Sequence, residues 1–86
     1  MMIVSEDMIN EYAEGAIILT GLEEAIIGIT EEFGNSPRIL YSTEKILDIL
    51  TSEGMTSREE AMEYFRYNII GGYFGEQNPI FLSDHL

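Results

Sequence analysis

The sequence predicts an α+β fold in which a small antiparallel sheet of two to three strands packs against two to three helices. Two segments that begin at Ser or Thr carry apolar residues at helical spacing, which predicts helices. A β-branched segment precedes them and a short apolar segment follows them, which predicts strands. With 86 residues, the chain has room for a single domain, residues 1–86.

The first predicted helix begins at Ser5, a residue type that caps helix N-termini, and ends at Gly15. Its apolar face comprises Met8, Ile9, Tyr12 and Ala13.

Residues 16–33 allow two interpretations. As a helix, they begin with a capping box of Thr20 and Glu23 and carry apolar residues at spacings of three and four as far as Phe33. As a strand, the segment from Ile27 is β-branched, and Gly28 is costly inside a helix. A turn at residues 33–37 then leads into a second strand at residues 38–41. We favour the hairpin and keep the helix as the alternative.

Two further helices and a strand follow. Ser42 or Thr43 caps a helix that ends near Gly54, and Thr56 forms a capping box with Glu59 at the start of the next helix, which ends at Gly71-Gly72. The residues predicted to face inward are Ile46, Leu47, Ile49 and Leu50 on the first of these helices and Ala61, Met62, Phe65 and Ile69 on the second. The residues predicted to face water on the second are Glu59, Glu63 and Arg66. Residues 79–82 are predicted to form a short strand that pairs with residues 39–41.

Charge limits the classes of partner. The chain has 16 acidic and 4 basic residues and a net charge of −12, so the long-range field opposes direct binding to nucleic acid or to anionic membranes. The excess carboxylates serve either solubility or docking on a basic protein surface, and the sequence leaves both open. The absence of cysteine, of a signal peptide and of a long apolar run predicts a soluble cytoplasmic protein.

The sequence predicts no catalytic, cofactor or metal site. The two glycines at 71–72 follow a helix rather than precede one, unlike those of a phosphate-binding loop. A helix-turn-helix role in DNA reading is disfavoured because the N-terminal half of the second helix would present the carboxylates of Glu59, Glu60 and Glu63 to the phosphates. His85, the only histidine, lies near the chain end and is interpreted as incidental.

Aromatic residues crowd the end of the last helix and the loop after it. Phe65 is predicted to be core, but the neighbouring tyrosines cannot all point inward, and exposed tyrosines beside glycines are common in binding sites. A tyrosine-lined edge of the core is the simpler alternative. The candidate interaction surface comprises Tyr64, Tyr67, Asn68, Gly72, Tyr73, Gly75, Glu76 and Pro79.

Three segments resemble a family of small uncharacterised proteins of tailed bacteriophages. They are residues 39–50 (ILYSTEKILDIL), 54–61 (GMTSREEA) and 68–81 (NIIGGYFGEQNPIF). The last two are similar to the family's GM(S/T)xEEA helix and NxxGAxxGExTPxF tail, and residues 24–29 resemble its EAxxGxxxRFG stretch, so the likeness spans about residues 20–82. The positions that match the tail motif are Asn68, Gly72, Gly75, Glu76, Pro79 and Phe81. The chain departs from the family at Gly71, where an aliphatic residue is more usual, at Asn78, where threonine is common, and at Glu32, where arginine is usual.

The resemblance implies a phage accessory protein that acts in the cytoplasm of the host cell, and it implies no reaction. Together with the charge, it leads to the expectation of a non-catalytic module that binds a basic surface of a host or phage protein. Because a chain of this size buries a limited fraction of its surface, a homodimer is also expected. The alternatives are a small-ligand-binding protein or enzyme that uses the Asn68–Pro79 loop, with Glu76 as base, and a structural or assembly component.

Overall fold

The computed structural model of the chain describes residues 9, 11, 13–72 and 77–86. In chain order its elements are a 3₁₀ turn Glu23–Ala25, strands β1 Ile26–Ile29 and β2 Ile39–Ser42, helices α1 Thr43–Ser52 and α2 Arg58–Tyr64, a π-helical segment Phe65–Ile70, and strand β3 Ile80–Leu82. The strands form one sheet in the order β1–β2–β3. The predicted α+β class, with a small sheet packed against helices, is confirmed.

The favoured hairpin at residues 26–42 is confirmed. Strands β1 and β2 pair antiparallel, with Ile26 opposite Tyr41 and Ile29 opposite Ile39. The register shifts between Ile26 and Gly28, which is the pattern of a β-bulge. The helical alternative is wrong for β1, although a single 3₁₀ turn at Glu23–Ala25 precedes the strand.

Strand β3 pairs with β2 as predicted, but in the opposite sense. Leu40 faces Ile80 and Tyr41 faces Phe81 in a parallel ladder, which corrects the expectation of an entirely antiparallel sheet. Parallel strands require a long crossover between them. Both helices and the π-helical segment lie between β2 and β3 in the chain and provide that crossover.

Helix α1 begins where the sequence predicts. The Ser42 side chain accepts a hydrogen bond from the Lys45 backbone N–H at 3.1 Å, which is the N-cap interaction. The helix buries Ile46, Leu47 and Leu50 and is followed by Gly54, whose φ of +117° is a conformation that favours glycine.

The cap of helix α2 lies one residue later than predicted. The Ser57 side chain accepts from the Glu60 backbone N–H at 3.1 Å, so Ser57 is the N-cap. The Glu60 carboxylate accepts from the backbone N–H and the hydroxyl of Thr56, so the predicted pairing of Thr56 with Glu59 is corrected to Thr56 with Glu60. The local sequence offers two adjacent hydroxyl residues, and only the tertiary path of the turn selects between them.

A π-helical segment that the sequence did not predict continues α2. The Gly71 backbone N–H donates to the Arg66 carbonyl, five residues earlier, at 3.0 Å. Phe65 and Ile69 are buried on this segment, as predicted, and the helix ends at Gly71, also as predicted.

Aromatic side chains from three elements form the centre of the core. The rings of Tyr41 and Phe81 stack at 5.8 Å, and the rings of Phe65 and Phe81 meet edge to face at 5.2 Å. Ile9 and Ala13 are also buried in this core. The rest of the apolar face predicted for the first helix, Met8 and Tyr12, lies outside the described residues.

Candidate functional site

The candidate surface on the last helix is partly exposed in the structure. The exposed fraction is 43% for Tyr64 and 82% for Tyr67, while Phe65 between them is buried. Asn68 is exposed, and its side-chain amide donates to the Tyr64 carbonyl at 3.3 Å. The helix therefore presents two tyrosines and one amide outward while its other side holds it to the core.

The remaining candidate residues follow the helix. Gly72 is half-buried and Pro79 is buried, so the Pro79 side chain does not contribute to an outward face. Tyr73, Gly75 and Glu76 lie outside the described residues. The ligand site considered for the Asn68–Pro79 loop, with Glu76 as base, therefore has no described geometry that supports it.

Tyr64 forms part of a groove between the helices and the chain before β1, which we name the Tyr64 groove. Its volume is about 210 Å³. The residues that line it are Leu19, Thr20, Gly21, Leu22, Leu50, Glu53, Tyr64 and Ile69. These residues come from three separate stretches of chain, so only the folded structure assembles the groove.

A second groove, which we name the arginine groove, has a volume of about 350 Å³. The residues that line it are Leu47, Arg58, Glu59, Met62, Glu63, Arg66 and His85. His85, interpreted from sequence as incidental, lies in its wall, and its Nδ1 atom is buried with no hydrogen-bond partner in the structure. Two of the chain's four basic residues thus lie together, but two carboxylates accompany them.

Few of the carboxylates are neutralised by ion pairs. Arg58 contacts Glu44 at 2.6 Å and Asp48 at 3.1 Å, and Arg38 contacts Glu32 at 3.0 Å. Exposed acids that form no ion pair within the described part of the chain are Glu11, Glu14, Glu23, Glu24, Glu31, Glu53, Glu59, Glu60, Glu63 and Asp84. The negative field of the chain is therefore largely uncompensated at its surface.

The carboxylates with shifted pKa values have structural roles. Hydrogen bonds from the Thr56 hydroxyl and backbone N–H hold the pKa of Glu60 below its ordinary value. Hydrogen bonds from the Glu44 backbone N–H and the Ser42 hydroxyl lower the pKa of Asp84. A general base that works near neutral pH requires a raised carboxyl pKa, so neither group is suited to that role.

Two negative observations apply to the described ranges 13–72 and 77–86 with residues 9 and 11. Within them, no three His, Asp or Glu side chains are grouped so as to hold a metal ion. Also within them, every helix is too short or too polar to cross a bilayer.

Sequence reasoning missed one exposed aromatic residue. Phe33 lies at the tip of the β1–β2 hairpin with its side chain fully exposed, at 104% of its reference area. The Glu32 side chain stabilises this turn by accepting hydrogen bonds from the Arg38 guanidinium at 3.0 Å and from the Asn35 side-chain amide at 3.3 Å. The Gly34-Asn35 pair that follows was the available signal, because it marks the turn at which a side chain has no neighbouring strand to cover it.

No protein-family model, curated protein or solved structure significantly matches this chain. The likeness to the phage family therefore rests on the quoted motifs.

Proposed function

We propose that the chain is a non-catalytic protein-binding module that docks on a basic surface of another protein. The observation that carries the proposal is the set of exposed carboxylates without an ion pair. Isolated surface charges contribute little to folding stability, whereas many like charges raise the association rate with a surface of opposite charge.

The contact itself needs apolar area as well as charge, since charge complementarity governs the encounter more than the final affinity. The outward tyrosines on the last helix supply such area. Tyrosine buries a large rigid surface at low entropic cost and is enriched among residues that dominate binding energy. Tyr64 and Tyr67 are therefore the proposed contact residues within the described part of the candidate surface.

The resemblance to phage proteins supports a host or phage protein as the partner, and the host cytoplasm as the compartment. An enzyme that binds nucleic acid is a partner class with the required chemistry, because its substrate site is basic. The module would compete with nucleic acid for that site without binding nucleic acid itself.

The test is retention of basic proteins by the immobilised chain across a salt series. Cytoplasmic proteins of a bacterial host are applied at about 0.05 M salt and eluted up to about 1 M, where the Debye length falls to roughly 3 Å. We expect the retained proteins to be basic and to elute as salt rises. A variant in which Glu24, Glu31, Glu53 and Glu63 become glutamine should retain less.

The matched control changes charge in the opposite direction. Lys45→Gln with Arg66→Gln makes the chain more acidic and should strengthen retention. Binding that is indifferent to salt and to both sets of substitutions, or stable binding of an oligonucleotide at physiological ionic strength, would refute the proposal.

A further inference from the structure

The Tyr64 groove has an apolar floor and an exposed aromatic wall. Leu22, Leu50 and Ile69 are each buried to more than nine-tenths, and the small area they keep exposed lines the groove. Tyr64 is the exposed aromatic residue beside them. A docked side chain would therefore meet preformed apolar packing with little rearrangement.

The charged side chain that lines this groove in the described part of the chain is negative. Glu53 lines it directly, and Glu23 and Glu24 follow Leu22 without an intervening residue. Among the described residues, no basic side chain lines the Tyr64 groove, whereas Arg58 and Arg66 line the arginine groove. The two grooves that flank the last helix thus differ in the charge they present.

From this combination we propose that the Tyr64 groove holds a basic amphipathic helical segment of the partner protein. This inference rests on the proposed function and specifies where docking occurs and what docks. Amphipathic helices bind apolar grooves through residues spaced three and four apart. The apolar residues of the segment would enter the groove, and its Lys or Arg residues would approach Glu53, Glu23 and the face of the Tyr64 ring.

Size and charge disfavour the other occupants. The groove volume of about 210 Å³ is below the ~300–1,000 Å³ usual for small-molecule pockets, so a few side chains fit it better than a cofactor does. A second copy of this chain would bring another net charge of −12 against an acidic rim. Nucleic acid would meet the same repulsion.

The test uses a synthetic helical peptide with leucine at positions spaced three and four apart and lysine elsewhere. A second peptide, with glutamate in place of lysine, measures the contribution of charge. Binding is measured by titration calorimetry, and the methyl signals of Leu22, Leu50 and Ile69 are followed by NMR. Circular dichroism verifies that each variant keeps the fold.

Two pairs of variants separate the groove from the rest of the surface. Tyr64→Ala is matched by Phe33→Ala, since Phe33 is also an exposed aromatic residue and is not among the described residues that line the groove. Glu53→Lys is matched by Glu63→Lys, which changes the net charge equally but lines the arginine groove. We expect Tyr64→Ala and Glu53→Lys to weaken binding roughly five- to tenfold, and the matched variants to change it less than about twofold.

The outcomes distinguish this inference from the proposed function. Salt-dependent binding that is weakened equally by Glu53→Lys and Glu63→Lys, with the groove methyl signals unmoved, would overturn the groove as the site and leave a basic partner in place. Failure of the wild-type chain to bind the leucine-lysine peptide would also overturn it. Failure of the proposed function would instead appear as salt-independent retention in the protein series.

Discussion

The Asp84 carboxylate accepts a hydrogen bond of 2.6 Å from the Ser42 hydroxyl, across 42 residues of sequence. Its other oxygen accepts from the Glu44 backbone N–H at 2.9 Å. Ser42 in turn accepts from the Lys45 backbone N–H, so the two side chains together satisfy free donors at the N-terminus of α1. These hydrogen bonds hold the segment after β3 against the N-terminus of α1.

Replacing Asp84 with alanine should lower the free energy of unfolding by about 1 kcal/mol, the usual contribution of one capping interaction. Asp84→Asn should cost less, because an amide oxygen can still accept one bond. Urea denaturation of the three proteins at neutral pH measures both values. Equal stability of wild type and Asp84→Ala would show that Ser42 alone caps the helix.

The Asp84 contribution should depend on pH. Its folded-state pKa lies below the ordinary value of 3.8, because the Glu44 backbone N–H and the Ser42 hydroxyl donate to the ionised form. The stabilisation is therefore complete above about pH 4 to 5 and is lost as pH falls through the folded-state pKa. The stability difference between wild type and Asp84→Asn should shrink on acidification, and a difference that stays constant to about pH 2 would contradict the assignment.

The elements that the sequence predicts correctly are those whose signals are local. A serine before a stretch with helical spacing and a glycine after it locate α1, and proline next to a short apolar segment locates β3. The interactions it misses join distant residues. Gln77, for example, donates to the carbonyls of Glu14 and Pro37, 63 and 40 residues away, and no local pattern encodes such pairs.

In the candidate site too, local sequence predicts some features, whereas others depend on residues that are distant in the chain. Exposure of some tyrosines was predictable, because one helix cannot turn neighbouring positions such as 64, 65 and 67 toward the same core. The Tyr64 groove was not, because Leu22 and Tyr64 come to line one groove only after the chain before β1 packs against the helices. Parallel pairing of β3 also depends on the route of the crossover rather than on the composition of the strand.

The buried Tyr41 hydroxyl should be important for stability. It accepts a 2.7 Å hydrogen bond from the Leu19 backbone N–H, and the Tyr41 side chain is fully buried. Tyr41→Phe leaves that N–H without its acceptor and should cost about 1–3 kcal/mol in urea denaturation. Tyr64→Phe is the matched control, since that side chain is 43% exposed, and it should change stability by less than about 0.5 kcal/mol. Equal effects would contradict the role of the hydrogen bond.

Alkaline pH should reduce the advantage of Tyr41 over phenylalanine. Burial, partly offset by the hydrogen bond from Leu19, raises the Tyr41 pKa above its ordinary value of 10.0. The folded state therefore favours the neutral phenol. The contribution of Tyr41 to the free energy of unfolding is lost as pH rises from about 10 through the folded-state pKa. Spectrophotometric titration should show a phenol ionisation above pH 10 in wild type that is missing from Tyr41→Phe. A difference between the two titration curves that is centred at or below pH 10 would contradict this.

Gly15 and Gln77 should be energetically coupled. Gly15 has a φ of +85°, and a Cβ added there would lie 2.6 Å from the Gln77 Oε1 atom. Gly15→Ala should therefore cost backbone strain of about 1–2 kcal/mol plus roughly 1 kcal/mol for displacing the Gln77 amide. Gly34→Ala is the control, because its φ of +81° is similar but its Cβ would meet no atom of the described residues within 4 Å.

A double-mutant cycle tests this coupling. Gln77→Ala should cost less in the Gly15→Ala background than in wild type, since the displaced amide has already lost its bonds to Glu14 and Pro37. If the stability losses of Gly15→Ala and Gln77→Ala add in the double variant, or if Gly15→Ala and Gly34→Ala lose equal stability, then the Gln77 side chain adapts to the added methyl group without losing its hydrogen bonds.

Arg58 should stabilise the packing of the two helices slightly and in a salt-dependent way. Its guanidinium contacts Glu44 and Asp48 on α1 from the first turn of α2. Because the pairs are exposed, Arg58→Gln should cost no more than about 1 kcal/mol.

Lys45→Gln is a close control: Lys45 also lies in a first helical turn, where the helix dipole disfavours a cation, but it forms no ion pair among the described residues. Thermal unfolding should show a larger loss for Arg58→Gln than for Lys45→Gln at low salt and equal losses near 1 M, where the ion pairs are screened. A loss for Arg58→Gln that persists at high salt would assign its role to packing of the aliphatic stem rather than to charge.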